Sequence, residues 1–147
     1  MRKEDILARL PYGKDFLFVG DLLHIDENGV TGTYTFNEEL PFYKAHFKDF
    51  PITPAVILTE TMAQIGLVCL GILLIGENTE TTGSAIVMTS SSIDFIKPVY
   101  PGSQVLVESR KVYFRFNKLS CAVTMKNAEG EMVCKGTISG MLAGGFK

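Results

Sequence analysis

The chain has no tryptophan, only two histidines, and three cysteines, none in C-x-x-C spacing. The missing tryptophan excludes nothing. An odd cysteine count without that spacing argues against a disulfide framework and against a zinc site. Cys69, Cys121 and Cys134 read instead as reduced, small apolar packing groups. No excess of either charge is present: charged residues make up an ordinary 20% and the net charge is −2, so nothing in the overall balance points to nucleic acid. No P-loop or G-x-G-x-x-G run occurs, and His24 stands alone on an expected strand as a structural residue. No metal and no cofactor are expected. The opening "MRKEDILARLPYG" lacks the continuous apolar stretch of a secretory signal, which makes the cytoplasm the expected location. The most apolar run, "IGLVCLGILLIG" over 65–76, falls well short of the roughly 20 residues a membrane span needs. A buried core helix is predicted there, with no membrane partner.

What is present suffices for one domain covering 1–147. Residues 2–10 read as a short amphipathic helix stopped by Pro11. Apolar, β-branched-rich stretches at 16–26 and 30–36 flank "DENG", a hairpin turn. A loop over 37–52 carries His46. Thr53 then suits an N-cap and Pro54 the first helical position. Apolar residues run from there to Ile75 with no polar stripe, so this helix is expected to be surrounded rather than laid on a surface. Gly76 is its natural stop. Beyond a polar loop at 77–83, strands are predicted at 84–96, 103–116, 119–126 and 131–142, separated by "KPVYPG", "FNK" and "NAEG". Long strands with one all-apolar helix imply an α+β fold in which the sheet curls around that helix. A concave face alone covers such a helix poorly, so self-association is expected.

One carboxylate, Glu60, interrupts the apolar helix in its second turn. Val56, Gln64 and Leu67 share its face. An ionised acid is costly to bury unless it is hydrogen-bonded or paired, and the Gln64 amide is a candidate donor. Glu60 as a neighbour-satisfying structural acid and His46 as an ordinary loop histidine stand open beside a joint acid–base role.

The segment "HFKDFPITPAVILTETMAQ" resembles the motif of bacterial 3-hydroxyacyl-acyl-carrier-protein dehydratases. That family has a histidine in an H-F-P context, then P-G-V, then an acid opening E-A-M-A-Q. His46 and Glu60 stand fourteen positions apart, as in that motif, and Pro54, Val56, Leu58, Met62, Ala63 and Gln64 also match. "LPYGKDFLFVGDLL" is similar to the family's opening segment, "IDFIKPVYPGSQVLVE" to its F-x-x-P-V-x-P-G strand and turn, and "NAEGEMVCKGTISGML" to its final hairpin. The resemblance covers most of 10–142.

It implies a hot-dog fold, an antiparallel sheet wrapped around one long helix, assembled as a homodimer or trimer of dimers. It further implies an enzyme, a hydro-lyase that removes water from a 3-hydroxyacyl thioester on an acyl carrier protein in fatty-acid, polyketide or pigment synthesis. The histidine of one subunit would meet the acid of the other. His46 suits the base for the α-proton, since imidazole titrates near neutrality. Glu60 suits the group that protonates or positions the departing hydroxyl. The helix N-terminus, through the N–H groups of Ala55 and Val56, suits the thioester oxygen. Thr53 and Gln64 complete the expected substrate-binding set.

Several positions depart from the family pattern. Ala55 replaces its glycine, Thr53 an apolar residue, Ala45 a glycine, Lys48 a proline, and Tyr12-Gly13 a His-Arg pair. As an N-cap, Thr53 would compete for the helix N–H groups. Between Phe95 and Lys118 five basic residues face one acid, a local +4. Arg110, Lys111 and Arg115 are therefore candidates for docking an acidic carrier, or else a solvated strand face. Two other functions remain open at this point: an acyl thioesterase on the same fold, and a non-catalytic subunit that binds an acyl carrier.

Overall fold

The computed structural model describes residues 1–76 and 85–143. Six strands form a single sheet: β1 (Leu22–Asp26), β2 (Gly29–Thr35), β3 (Ala85–Phe95), β4 (Gln104–Arg115), β5 (Lys118–Asn127) and β6 (Met132–Ala143). Their order is β1-β2-β4-β5-β6-β3, with every neighbouring pair antiparallel. The turn chemistry explains the hairpins. In "DENG", Asp26 Oδ1 accepts the N–H groups of Asn28 (2.8 Å) and Gly29 (3.2 Å), an Asx turn that reverses the chain between β1 and β2. In "NAEG", Asn127 Oδ1 accepts from Glu129 and Glu131, and Gly130 takes the positive φ.

The central helix runs from Ala55 to Ile75 against the concave face of the sheet. By length and mean hydropathy (1.9) it would pass for a membrane span. Every residue from Thr61 to Gly71 is buried, however, so it is the core of the domain. Its partners are inward-facing residues of the sheet, among them Val30, Val107, Leu119, Val123 and Ile138. Two glycines permit the close approach. A Cβ on Gly71 would lie 2.5 Å from Ile86 Cγ1, and one on Gly66 would lie 3.1 Å from Ser109 Cβ and from Val123 Cγ1. Gly76 ends the helix at φ +75°, as its position predicts.

The helix is not uniform. Between α-helical halves at Ala55–Ala63 and Cys69–Ile75, residues Gln64–Val68 form a wide π turn, with the Cys69 N–H donating to Gln64 C=O. Ser109 of β4 donates its hydroxyl to Gly66 C=O at 2.7 Å within that turn. Such turns often accompany functional positions, and this one begins at Gln64.

Several expected boundaries need correction. The strand predicted from residue 16 begins only at Leu22, because the peptide groups of Phe16 and Phe18 bond to the Gln64 side chain instead of to a neighbouring strand. Residues 14–16 form a short 3-10 turn. Within the 37–52 loop, Pro41–Lys44 is another. The helix opens at Ala55 with Pro54 as its cap residue, and the Thr53 hydroxyl does not cap it. The first α-helix, α1, is Lys3–Ala8. The predicted 77–83 loop and Ser84 lie outside the described residues.

Candidate active site

His46 is held by a neck of two bonds across its own loop. Ile52 N–H donates to His46 C=O at 2.9 Å, and His46 Nδ1 lies 2.9 Å from Ile52 C=O. A carbonyl only accepts, so Nδ1 carries the proton and Nε2 of the neutral ring keeps its lone pair. Phe47 stacks on the imidazole at 4.1 Å between centroids, which fixes the ring plane. The loop is tied to the "PVYPG" turn by Thr53 N–H donating to Val99 C=O at 2.9 Å.

The histidine faces a cleft of about 340 Å³, whose lining includes Thr53, Ala55, Leu58, Phe95 and Ile96. The central helix points its N-terminus at this cleft. Pro54 C=O accepts from Ile57 and Leu58, while the Ala55 and Val56 N–H groups find no acceptor among the described residues. Pro54 contributes no N–H of its own. Two donors and the positive end of the helix dipole therefore stand beside His46. The hydroxyl expected to occupy them does not: Thr53 Oγ1 pairs with Tyr43 OH at 2.5 Å.

Glu60 is partly buried. One oxygen accepts from Gln64 Nε2 at 2.9 Å. Gln64, fully buried, donates its second amide proton to Phe16 C=O (2.9 Å) and accepts the Phe18 N–H (2.8 Å). Both of its amide protons are thereby spent. Gln64, expected in the substrate-binding set, holds the acid and the 16–18 segment in place. Tyr12, which the sequence reading left without a role, lies on the same side. Burial pushes its phenol pKa up, with the Glu60 carboxylate adding to the rise, so the phenol stays protonated.

No hydrogen bond or ion pair joins His46 to Glu60 within the chain among the described residues. Ala55 and Leu58 face the His46 cleft. Glu60 follows Leu58 by two residues, about 200° around a helix, and so points away from it.

The basic residues of β4 do not form one patch. Arg110 pairs across the sheet with Ala122 and lines a hollow on the outer face, together with Glu108 and Lys135. Lys111 pairs with buried Cys121 on the opposite face, as strand alternation requires. Arg115 lies over the Tyr113 ring at 4.5 Å. His24 bonds to Asp26 at the β1 edge, at 2.9 Å. Burial pushes the Cys69 and Cys134 thiols up to about 12 and leaves them inert. No cluster of metal-ligating side chains occurs among the described residues.

A six-stranded antiparallel sheet curled around one long helix defines a hot-dog protein, here with a histidine loop over the helix N-terminus. Solved structures agree on the fold. A hypothetical thioesterase with coenzyme A from Streptococcus pneumoniae TIGR4 aligns with TM-score 0.61 at 17% identity, over 86% of this chain and 88% of that one. A thioesterase from Haemophilus influenzae aligns with TM-score 0.62 at 14% identity, over 84% of this chain and 78% of that one. The chain belongs to the FabA-like domain family, which matches residues 10–138. Among relatives, the 3-hydroxyacyl-[acyl-carrier-protein] dehydratase FabZ of Ehrlichia canis (strain Jake) is 31% identical over 84% of this chain and 85% of that protein. The FabZ of Solibacter usitatus is 30% identical over 89% of this chain and 82% of that protein.

Proposed function

We propose that this protein is a cytoplasmic hydro-lyase that dehydrates 3-hydroxyacyl thioesters carried on an acyl carrier protein, giving trans-2-enoyl thioesters. The observation that carries the reading is the state of His46: Nδ1–H is committed to Ile52 C=O, and Nε2 is left as a base beside a largely apolar cleft and two helix N–H groups without an acceptor among the described residues. Nε2 takes the α-proton. The electron pair of that C–H bond moves toward the thioester carbonyl, whose oxygen gathers charge beside the Ala55 and Val56 N–H groups. The β-hydroxyl then leaves as water, with Glu60 supplying or directing its proton, and the Cα–Cβ double bond forms.

Since Glu60 points away from the His46 cleft of its own chain, the Glu60 that completes this cleft comes from a second copy. A homodimer is supported by the open edge of β3, where Val87, Met88 and Phe95 are exposed, and by Val56, 74% exposed at the start of the helix. A long edge strand left open invites pairing with another chain. The acidic carrier would meet Arg110 and Arg115, which are exposed and make no ion pair among the described residues.

Incubation with 3-hydroxyacyl thioesters of graded chain length tests the reaction through the absorbance of the conjugated enoyl product. His46→Ala and Glu60→Gln are each expected to lower kcat by roughly 10²–10⁴-fold. Release of free thiol without enoyl product would replace this reading with a thioesterase. Equal behaviour of wild type and His46→Ala would leave a carrier-binding subunit.

A further inference from the structure

Thr53 and Tyr43 form a buried hydroxyl pair, 4% and 5% exposed, with their oxygens 2.5 Å apart. Two hydroxyls bring two protons, and only one can lie between the two oxygens. A phenol is the stronger donor and an aliphatic alcohol the better acceptor, so the shared proton belongs to Tyr43. Burial raises the Tyr43 pKa and keeps that proton on the ring oxygen. The Thr53 proton is then left over, and no acceptor takes it among the described residues. The Thr53 backbone is fixed at the cleft by its N–H bond to Val99 C=O, with Pro54 next in the chain, and its side-chain oxygen is engaged by Tyr43 OH. The space Thr53 lines is the His46 cleft, whose wall is largely apolar (Ile52, Leu58, Phe95, Ile96 and Pro98); Lys97 also lines it, and its ammonium donates to Glu131. A hydroxyl with a spare proton beside such a wall is costly to leave without a partner.

We infer that the Thr53 hydroxyl, held by Tyr43, donates a hydrogen bond to the thioester carbonyl oxygen of the acyl substrate, as a third donor beside the Ala55 and Val56 N–H groups. This rests on the dehydratase reading and deepens it. When the α-proton passes to His46 Nε2 and the C–H electron pair moves toward the carbonyl, Thr53 keeps its own proton and its hydrogen bond shortens onto the charged oxygen. Tyr43 touches no substrate; it is a positioning residue that aims Thr53.

The test measures kcat, KM and thermal midpoint for Thr53→Val, Thr53→Ser, Tyr43→Phe and the Thr53→Val/Tyr43→Phe pair, using a 3-hydroxyacyl thioester. Thr53→Val is expected to lower kcat roughly 10- to 100-fold with little change in KM, since the contact strengthens only as charge develops. It also lowers the midpoint, because it strands the Tyr43 hydroxyl. Thr53→Ser keeps most of kcat, and Tyr43→Phe loses less than Thr53→Val. The double variant removes both hydroxyls, so its midpoint recovers while kcat stays low. That variant carries the measurement if Thr53→Val alone does not fold. A double variant with wild-type kcat would overturn the inference and leave the dehydratase reading standing, whereas an inactive wild type would overturn both.

Discussion

Gln64 is the residue on which the acid depends. Its three bonds, to Glu60, Phe16 and Phe18, leave no alternative orientation of the amide, because the Phe18 N–H needs the side-chain oxygen. The two amide protons therefore face Phe16 C=O and Glu60. Gln64→Leu keeps the volume but orphans a backbone donor and a backbone acceptor, at a cost of about 1–3 kcal/mol for each group left buried. Urea unfolding should show that loss. Activity should fall as well, since Glu60 loses the bond that fixes its rotamer. A Gln64→Leu variant with wild-type kcat would show that the clamp serves only the 16–18 segment. The presence of Glu60 and Gln64 on one helix face was legible from their spacing of four. The commitment of the Gln64 amide was not, because two of its partners are backbone groups 46 and 48 residues away. Backbone groups leave no trace in residue identity.

At the scale of elements, the β5–β6 hairpin was legible through Asn127 and Gly130, and the β4–β5 hairpin through Asn117, which takes a positive φ; that Phe116 does so as well was not. The wide turn in the central helix was not. An apolar run reads the same with or without an extra residue per turn, and what distinguishes it is Ser109 reaching Gly66 from another element. The same tight packing makes the helix intolerant of volume. Gly71→Ala places a methyl 2.5 Å from Ile86 Cγ1 and should cost about 1–3 kcal/mol by overpacking, read as a lower denaturation midpoint with an unchanged m value. The edge of β3 yields a different prediction. In the proposed homodimer, Val87→Lys or Met88→Asp should shift the protein to monomer on size-exclusion chromatography and abolish dehydration together, because each cleft would lose the Glu60 supplied by the second copy. A fully active monomer would refute the shared site. The basic residues of β4 show the opposite lesson. Their clustering in sequence was plain, but strand alternation divides Arg110 from Lys111 across the sheet.

For the molecule as a whole, alkaline pH is the sensitive side. Cys69 and Cys134 ionise near an ordinary value of 9.0 when unfolded and only at about 12 when folded. Above pH 9 the folded chain thus binds more protons than the unfolded one, so stability is complete below that pH and falls as pH rises toward 12. Tyr12, also raised by burial, adds to the decline above pH 10.0. Thermal midpoints measured from pH 7 to 11 should fall steadily past pH 9. Substituting Ala for either cysteine should flatten that slope, although it costs stability at pH 7 through the cavity left behind.

By itself the sequence determined the fold class and the candidate acid and base. Apolar periodicity, turn residues and the run from His46 to Gln64 are local, and local chemistry is what a sequence displays. Only the tertiary structure decided which nitrogen of His46 is free, that Thr53 answers to Tyr43 rather than to the helix end, and that His46 and Glu60 of one chain look away from each other. Each of those depends on a hydrogen-bond partner or a direction in space, set by how the loop over the helix N-terminus and the sheet close around one buried helix.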